Sequence, residues 1–235
     1  MYNRDNYPQE NQIEPILNQM QCKGCASKIP QSILDRVFEE NTKKGSLDAD
    51  KVPNTKNIFQ TTDIISSIVS DPFELGIISA KHALNDILAS SSKPLAAQMI
   101  VSLPPAINEI NKRDLIQIKS GADYAMKKAT CKIIGGHSYS NNDDQVYLGF
   151  SIIGKKKNYV KSKRIKKGKL YITGKIGSAL VFAAIEKKII SGIYSEEVIN
   201  TMKQSNYEIF RIFSKFSIQH ITDISGFGLA IHAHN

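Results

Sequence analysis

Two cysteines and a lysine stand within one short segment near the start of the chain, "QCKGCASKIP", residues 21–30. Cys22 and Cys25 have the spacing of a redox pair or of half a zinc site, and Lys28 follows three residues later. A zinc site needs further ligands at short spacing, and a thioredoxin-type pair follows a strand, whereas this pair follows a polar leader. A site that uses Cys25 together with Lys28 is a third possibility, which the rest of the chain has to decide.

Three aspartates occupy positions at which a carboxylate could hold a metal ion. Asp63 and Asp223 end the apolar segments "QTTD" and "HITD", and Asp86 lies inside a predicted helix. A carboxylate at a strand end is exposed enough to meet a ligand and fixed enough to bind it, and Mg²⁺ takes a few carboxylates together with water and phosphate oxygens. Each aspartate could instead cap a helix or a turn.

Two glycine-containing segments could approach a phosphate. In "GGHS", residues 135–138, the glycines allow close approach of the backbone, while His137 and Ser138 supply donors. A glycine turn between two strands is the alternative. The segment "SGFG", residues 225–228, has the same ambiguity, and the predicted helix that follows it favours anions at its N-terminus.

Composition narrows the class of protein. The chain has 235 residues, 41% of them hydrophobic, which is enough for one large domain or for one domain and part of another. No apolar run reaches the ~20 residues of a membrane span, and the start of the chain is too polar for a signal peptide. With three cysteines, an odd number, reduced thiols are expected, and a soluble, cytosolic protein without a membrane partner follows.

The net charge of +9 raises the question of a nucleic-acid partner. The lysines cluster only in "GKKKNYVKSKRIKKGK", residues 154–169, which contains a single aromatic residue, Tyr159. Single-strand binders combine basic residues with several stacking aromatics. The run is therefore interpreted as a solvated linker or hairpin, and no nucleic-acid partner is expected.

The elements that must position these residues alternate between strand and helix. Strands are predicted at "NIFQTTD", "LAAQMIVSLP", "QVYLGFSIIG", "KLYITG" and "HITD", and at "CKIIGGHS", where the strand runs into a glycine turn. Helices are predicted at "QSILDRVFEEN", after Asp71-Pro72, at "NKRDLIQIKSGADYAMKKAT", "GSALVFAAIEKKII", "SEEVINTMKQSNYEIFRIFSKF" and "ISGFGLAIHAHN". This order indicates a sheet with helices long enough to cover one of its faces.

Four segments in this order resemble selenophosphate synthetase, also called selenide, water dikinase, of the aminoimidazole-ribonucleotide-synthetase-like (PurM-like) superfamily. They are "TTDIISSIVSDPFELGIISAKHALNDILASSSKPLAAQMIVSLPP", "GGHS", "KLYITGKIGSALVFAA" and "TDISGFG". The resemblance implies an α+β fold with a mixed or antiparallel sheet and covering helices. Its implied divisions are a flexible leader (1–21), an active-site segment with a short helix (22–44), an N-terminal ATP-binding domain (45–155) and the start of an incomplete α/β domain (166–235).

The resemblance also implies a site. Cys25 takes the position of the catalytic thiol and Lys28 that of the catalytic lysine, and a thiolate beside an ammonium suits selenium and phosphoryl chemistry. By resemblance, ATP contacts fall on Lys28, Asp48, Asp63, Asp86, Gly136, His137 and Ser138, and metal ligands on Asp50, Asp63, Asp86 and Asp223. The segment "GGHS" would contact ATP across the interface of a homodimer.

The implied reaction converts ATP, selenide and water into selenophosphate, phosphate and AMP, with Mg²⁺ on the phosphates. In "DADKV", residues 48–52, Ala49 stands where the family has a metal aspartate, so Asp48 or Asp50 would have to substitute. The resemblance further implies missing C-terminal residues and admits a fusion to a pyridine-nucleotide-disulfide oxidoreductase. The alternatives are a catalytically degenerate ATP-binding module and a superfamily enzyme with another phosphoryl acceptor.

Overall fold

The computed structural model describes Val37, residues 48–157 and residues 168–234. Cys22, Cys25 and Lys28 lie outside the described residues, as does most of the basic run. The helix predicted at "QSILDRVFEEN" also falls outside them apart from Val37, which is helical.

A five-stranded sheet forms the centre of the first described segment. Its strands lie in the order β1-β2-β5-β3-β4, and only the β3–β4 pair is parallel among these neighbours. The bounds are β1 Asp50–Lys51, β2 Ile58–Ser66, β3 Ser92–Leu103, β4 Lys132–Ser140 and β5 Tyr147–Lys156. The prediction of a mixed sheet is confirmed.

Two long helices cover one face of this sheet. Helix α1, Pro72–Ala89, begins where Asp71 accepts a 2.8 Å hydrogen bond from the backbone N–H of Glu74, and proline fits the first turn because its missing N–H is not needed there. Helix α2, Asn108–Lys128, packs on α1 so closely that a Cβ at Gly121 would lie 2.0 Å from the carbonyl oxygen of Phe73. The predicted covering helices are therefore confirmed.

The strands alternate between a face toward the helices and an open face. On β2, Thr61 and Ile65 are buried while Thr62 and Ile64 are exposed. Because side chains alternate along a strand, Asp63 shares the face of Thr61 and Ile65, toward the helices. The hydrophobic core between sheet and helices includes Ile78, Ile87, Ile118, Met126, Leu148, Phe150 and Ile152.

The second described segment, residues 168–234, contains short helices. They are α3 Ser178–Glu186, α4 Ile193–Met202, α5 Tyr207–Ile212 with a 3₁₀ turn Phe213–Lys215, and α6 Gly228–His234. Tyr207 and Phe210 join the core of the first segment. None of the helices in the described parts of the chain has the length and apolar character of a membrane span.

Three sequence predictions differ from the structure in this region. The segments "KLYITG" and "HITD" are not strands, and strands need partner strands to be stable. The single helix predicted at 195–216 is interrupted after Met202, where the Ser205 hydroxyl accepts a 3.3 Å hydrogen bond from the backbone N–H of Tyr207. Such a local bond competes with the helix ladder and favours a break.

Candidate metal centre

Three aspartates from distant parts of the sequence meet beside the end of α1. Asp48, Asp86 and Asp223 each offer a carboxylate oxygen, and these oxygens all lie within 4.8 Å of one another. Asp48 comes shortly before β1, Asp86 lies in the last turns of α1, and Asp223 precedes α6. The predicted convergence of Asp86 and Asp223 is present in the structure, with Asp48 as the third member.

Asp86 is the buried member of this group. Its side chain accepts a 2.6 Å hydrogen bond from the hydroxyl of Thr61 on β2. Burial raises the pKa of Asp86 to about 7, the negative charges of Asp223 and Asp63 add to this rise, and the Thr61 hydroxyl and His82 oppose it. A bound cation would offset the effects of burial and of the neighbouring negative charges, because it stabilises the charged carboxylate of Asp86.

Asp48 is held by residues next to Asp223. The Thr222 hydroxyl donates a 3.2 Å hydrogen bond to Oδ1 of Asp48 and lies 3.3 Å from Nδ1 of the buried His232. Nε2 of His232 accepts a 3.3 Å hydrogen bond from the backbone N–H of Ser225, so Nδ1 of the neutral ring carries the proton and donates toward Thr222. The segment around α6 thus fixes the carboxylate that precedes β1.

Asp63 contacts a histidine from α1. Nε2 of His82 lies 2.8 Å from Oδ2 of Asp63, close enough for an ion pair although the ring N–H is not aligned as in a good hydrogen bond. Burial lowers the pKa of His82, but Asp63, with smaller contributions from Asp86 and Asp223, outweighs burial and raises this pKa above its ordinary value. The Asp63–His82 pair therefore lies within electrostatic reach of Asp86 and Asp223.

The donor set fits a hard divalent cation. Carboxylate oxygens are the ligands that Mg²⁺ and Ca²⁺ prefer, and a nucleotide-associated Mg²⁺ uses few protein carboxylates besides water and phosphate oxygens. In Asp48 and Asp86, one carboxylate oxygen is oriented by a threonine hydroxyl, as outer partners commonly orient metal ligands. These residues match the chemistry predicted for Mg²⁺.

A cleft of about 370 Å³ opens beside Asp48 and Thr61. Its volume lies in the range of small-molecule sites, roughly 300–1,000 Å³. It is lined by Asp48, Asp50, Lys51, Val52, Pro53, Gln60, Thr61 and Thr62. A phosphate group bound there would be next to the metal centre.

Other predicted site residues are not members of the metal group. Asp50 is exposed on β1, pairs with Gln60 in the β1–β2 register, and is not part of the metal group. The segment 135–138 lies in β4, at the edge of the sheet opposite β1, and β5 and β3 separate it from β2. Within one chain, the structure does not bring Gly136, His137 and Ser138 to the aspartates.

The glycine turn predicted at "GGHS" is wrong, because these residues continue β4 through Ser140. Gly136 has a packing reason instead. A Cβ at Gly136 would lie 1.8 Å from the carbonyl oxygen of Met99 on β3, whereas a Cβ at Gly135 would meet no atom within 4 Å. Gly136 thus allows β4 to pair closely with β3.

Four residues of the site were missed from the sequence: Thr61, His82, Thr222 and His232. Thr222 directly precedes a predicted metal aspartate, and Thr61 lies two residues before another. His82 precedes Asp86 by four residues, the spacing that places two side chains on one helical face. That spacing was the available signal for His82, whereas the contact of His232 with Thr222 depends on the turn before α6.

Comparison with known proteins shows similarity to one family model and to selenide, water dikinases. Residues 45–155 match the family described as AIR synthase related protein, N-terminal domain. The chain is 26% identical to the selenide, water dikinase of Myxococcus xanthus, over 94% of this chain and 66% of the relative. The selenide, water dikinase of Clostridioides difficile is 28% identical, over 89% of this chain and 63% of the relative. The chain spans 63–66% of the length of these curated relatives.

Solved structures agree on the fold. Thiamine monophosphate kinase from Aquifex aeolicus matches with a TM-score of 0.60 at 15% identity, over 79% of this chain and 63% of the kinase chain. The structure described as AaThiL complexed with AMPPCP and TMP matches with a TM-score of 0.57, also at 15% identity, over 79% and 62% of the two chains. At this identity the likeness establishes the fold alone.

Proposed function

We infer that this chain, which is similar to selenide, water dikinases and matches an AIR-synthase-related N-terminal domain over residues 45–155, serves the ATP- and Mg²⁺-dependent synthesis of selenophosphate. The reaction converts ATP, selenide and water into selenophosphate, AMP and phosphate. The observation that carries this proposal is the meeting of Asp48, Asp86 and Asp223 beside an open cleft. The cytoplasm, where thiols stay reduced, is the proposed compartment.

The proposed role of the three aspartates is to hold Mg²⁺. The ion neutralises charge on phosphate oxygens when it is bound, and phosphoryl transfer depends mostly on such charge neutralisation and on positioning. The chain contributes the fixed carboxylates, with Thr61 and Thr222 orienting two of them. Binding of AMPPCP by a protein of the same fold supports ATP as the ligand of the cleft.

The residues proposed for the selenium chemistry lie in the segment before the described domain. Cys25 is proposed as the thiol that handles selenide, and Lys28 as the ammonium that stabilises the thiolate and phosphoryl charge. A soft thiolate is a suitable nucleophile toward selenium, whereas the aspartates suit the hard cation and the phosphates. In the proposed site, Cys25 and Lys28 therefore act in the selenium chemistry, and the aspartates bind the cation and the phosphates.

A homodimer is proposed because the sheet has an open face. Ile64 on β2 and Ile153 on β5 lie on the side of the sheet away from α1 and α2, and 46% and 38% of their surfaces are exposed. Pairing of two such faces would bury this apolar surface. It would also give Gly136, His137 and Ser138 on β4 a route to the nucleotide of the partner subunit, since they lie far from the metal centre of their own chain.

The test is AMP formation from ATP and Mg²⁺, with and without selenide, using the full-length gene product. AMP that depends on selenide is expected. Cys25→Ser should abolish this AMP while leaving ATP affinity within about twofold, because a hydroxyl does not replace a thiolate nucleophile. Cys131→Ser is the matched control, since Cys131 is buried in the core away from the cleft. ATP binding without selenide-dependent AMP would contradict the proposed reaction and indicate an ATP-binding module.

A further inference from the structure

Lys81 on α1 is a buried lysine that the proposed reaction does not use. Only 6% of its surface is exposed, and its ammonium makes no hydrogen bond or ion pair with any residue of 48–157 or 168–234. Buried charges are normally paired, because removing a charge from water without compensation is unfavourable. An ammonium has three N–H donors, so Lys81 can bind a group of opposite charge.

Lys81 lies where α1 meets the second described segment. Seven residues before it, Glu74 forms an ion pair with Lys203 at the end of α4, and four residues after it, Asn85 accepts a 3.1 Å hydrogen bond from Asn206. Spacings of seven and four residues place these α1 side chains on one helical face. The end of α4 therefore packs along the face of α1 that carries Lys81.

This face of α1 differs from the face that carries the metal centre. Asp86 follows Lys81 by five residues, which corresponds to a rotation of roughly 140° about the helix axis. Asp86 is directed toward β2, where it accepts the hydrogen bond from Thr61. A group bound by Lys81 would therefore not occupy the cleft beside Asp48.

Two further lysines lie within electrostatic reach of Lys81. Burial is the main reason that the pKa of Lys81 is lowered to about 8, and the charges of Lys128, at the end of α2, and Lys203 add to this effect. Lys128 donates a 2.6 Å hydrogen bond to the hydroxyl of Tyr124, and Lys203 contacts Glu74, so both ammoniums keep further donors. In the described parts of the chain, Glu74 is the single carboxylate that pairs with any of the three lysines.

We propose that Lys81, Lys128 and Lys203 form a binding site for a small oxyanion of the phosphate or sulfate class, where α1 meets the ends of α2 and α4. Such an anion accepts several hydrogen bonds at once, and each bond from an ammonium is charge-assisted. The anion neutralises the repulsion among the three lysines and connects the second described segment to α1 and α2. This inference goes beyond the proposed function and does not depend on it.

The experiment titrates inorganic phosphate, and separately sulfate, into the full chain at pH 7 and constant ionic strength, without nucleotide or Mg²⁺, by isothermal titration calorimetry. One anion should bind. Lys81→Met keeps the apolar stem and removes the ammonium, and it should weaken anion binding at least roughly tenfold, as expected for the loss of one hydrogen bond to a charged group. Lys119→Met, at an exposed position of α2, is the matched control and should bind the anion like the unsubstituted chain.

The melting temperature provides a second measurement. Phosphate should raise the melting temperature of the unsubstituted chain more than that of Lys81→Met. The difference between the two proteins is the quantity to compare, because phosphate also stabilises folded proteins in general through its exclusion from their surfaces. In chloride alone, Lys81→Met should melt at the higher temperature, since it lacks the unpaired buried charge.

An anion affinity that is equal in Lys81→Met and in the unsubstituted chain overturns the proposal and assigns the anion to another part of the chain, such as the cleft beside Asp48. An unsubstituted chain that binds neither phosphate nor sulfate also overturns it. If Lys81→Met does not fold, as judged by circular dichroism, Lys128→Met, at an exposed position, is measured in its place with the same expected loss of affinity.

Discussion

The hydroxyl of Thr61 donates a 2.6 Å hydrogen bond to Oδ2 of Asp86, and this bond connects strand β2 to the candidate metal centre on α1. A hydrogen bond to a carboxylate favours its charged form, so Thr61 opposes the effect of burial on Asp86. The bond also holds Oδ2 of Asp86 in place, and the carboxylate group as a whole is thereby oriented, including Oδ1. Thr61 is therefore expected to act on metal affinity through Asp86.

Thr61→Val tests this relationship, since valine keeps the shape of threonine and removes the hydroxyl. Loss of an outer partner of a metal ligand commonly costs about 10–100-fold in affinity. We expect the Mg²⁺ affinity, measured by isothermal titration calorimetry, to fall roughly tenfold. Thr62→Val is the matched control, because the Thr62 hydroxyl contacts Ser151 on the open face of the sheet. Equal affinities in the two variants would contradict the role of Thr61.

Asp86 should make the stability of the metal-free chain depend on pH. The folded-state pKa of Asp86, about 7, lies above its ordinary value of 3.8, so the folded chain binds more protons than the unfolded chain between these pH values. The free energy of unfolding therefore falls as pH rises from about 4 to 7, by at most about 4 kcal/mol for this group.

Asp86→Asn should remove this penalty, and a higher melting temperature than that of the unsubstituted chain is expected at pH 8 without Mg²⁺. A rise of several degrees is the expected size, since about 1 kcal/mol shifts the melting temperature by roughly 2–4 °C in a chain of this length. Added Mg²⁺ should raise the melting temperature of the unsubstituted chain but not that of Asp86→Asn. Asp123→Asn, at an exposed helix position, should respond to Mg²⁺ like the unsubstituted chain.

The sequence predicted the aspartates of the site better than their partners. Asp223, like Asp63, could be proposed because it ends an apolar segment, and Asp86 because it lies inside a predicted helix in a segment that carries the family resemblance. The choice between Asp48 and Asp50 could not be made, because it depends on where β1 begins to pair with β2. Asp48 and Asp50 are two residues apart, so a shift of two residues there would point the other carboxylate at Asp86, and a shift of one would point Ala49.

The helices and strands were likewise predictable only where local sequence determines them. Helix α1 was predictable because Asp71 and Pro72 form a strong start signal and a long apolar pattern follows. The segment "KLYITG" has a strand-like pattern, but strand formation depends on a partner that local sequence does not reveal. The extended course of β4 through Gly136 was missed because its cause is the approach of Met99 from another strand.

Gly136→Ala should weaken the pairing of β3 with β4. The added methyl group would lie 1.8 Å from the carbonyl oxygen of Met99, so one strand would have to move. We expect a loss of about 1–3 kcal/mol in the free energy of unfolding, as for other overpacked sites, measured by urea denaturation. Gly135→Ala is the matched control, because no atom lies within 4 Å of its added methyl group. A loss of the same size in Gly135→Ala would show that backbone entropy, and not the contact with Met99, governs this strand.

The open face of the sheet provides the last prediction, which concerns the proposed homodimer. Ile153 on β5 lies between Gln60 on β2 and Ala96 on β3, on the face away from the helices. A lysine at this position would place an unpaired charge in the interface of two packed sheets. An uncompensated buried charge costs roughly 3–5 kcal/mol, which corresponds to a loss of more than about a hundredfold in dimer affinity.

Light scattering after size-exclusion chromatography should therefore show a dimer for the unsubstituted chain and a monomer for Ile153→Lys. The melting temperature of the variant, measured at a concentration where both proteins are monomeric, should be nearly unchanged because 38% of the Ile153 surface is already exposed in one chain. Ile193→Lys, at a position 73% exposed on α4, is the matched control and should remain a dimer. A dimer that tolerates Ile153→Lys would place the interface on another surface, and His137 and Ser138 would then lose their proposed route to the nucleotide of the partner subunit.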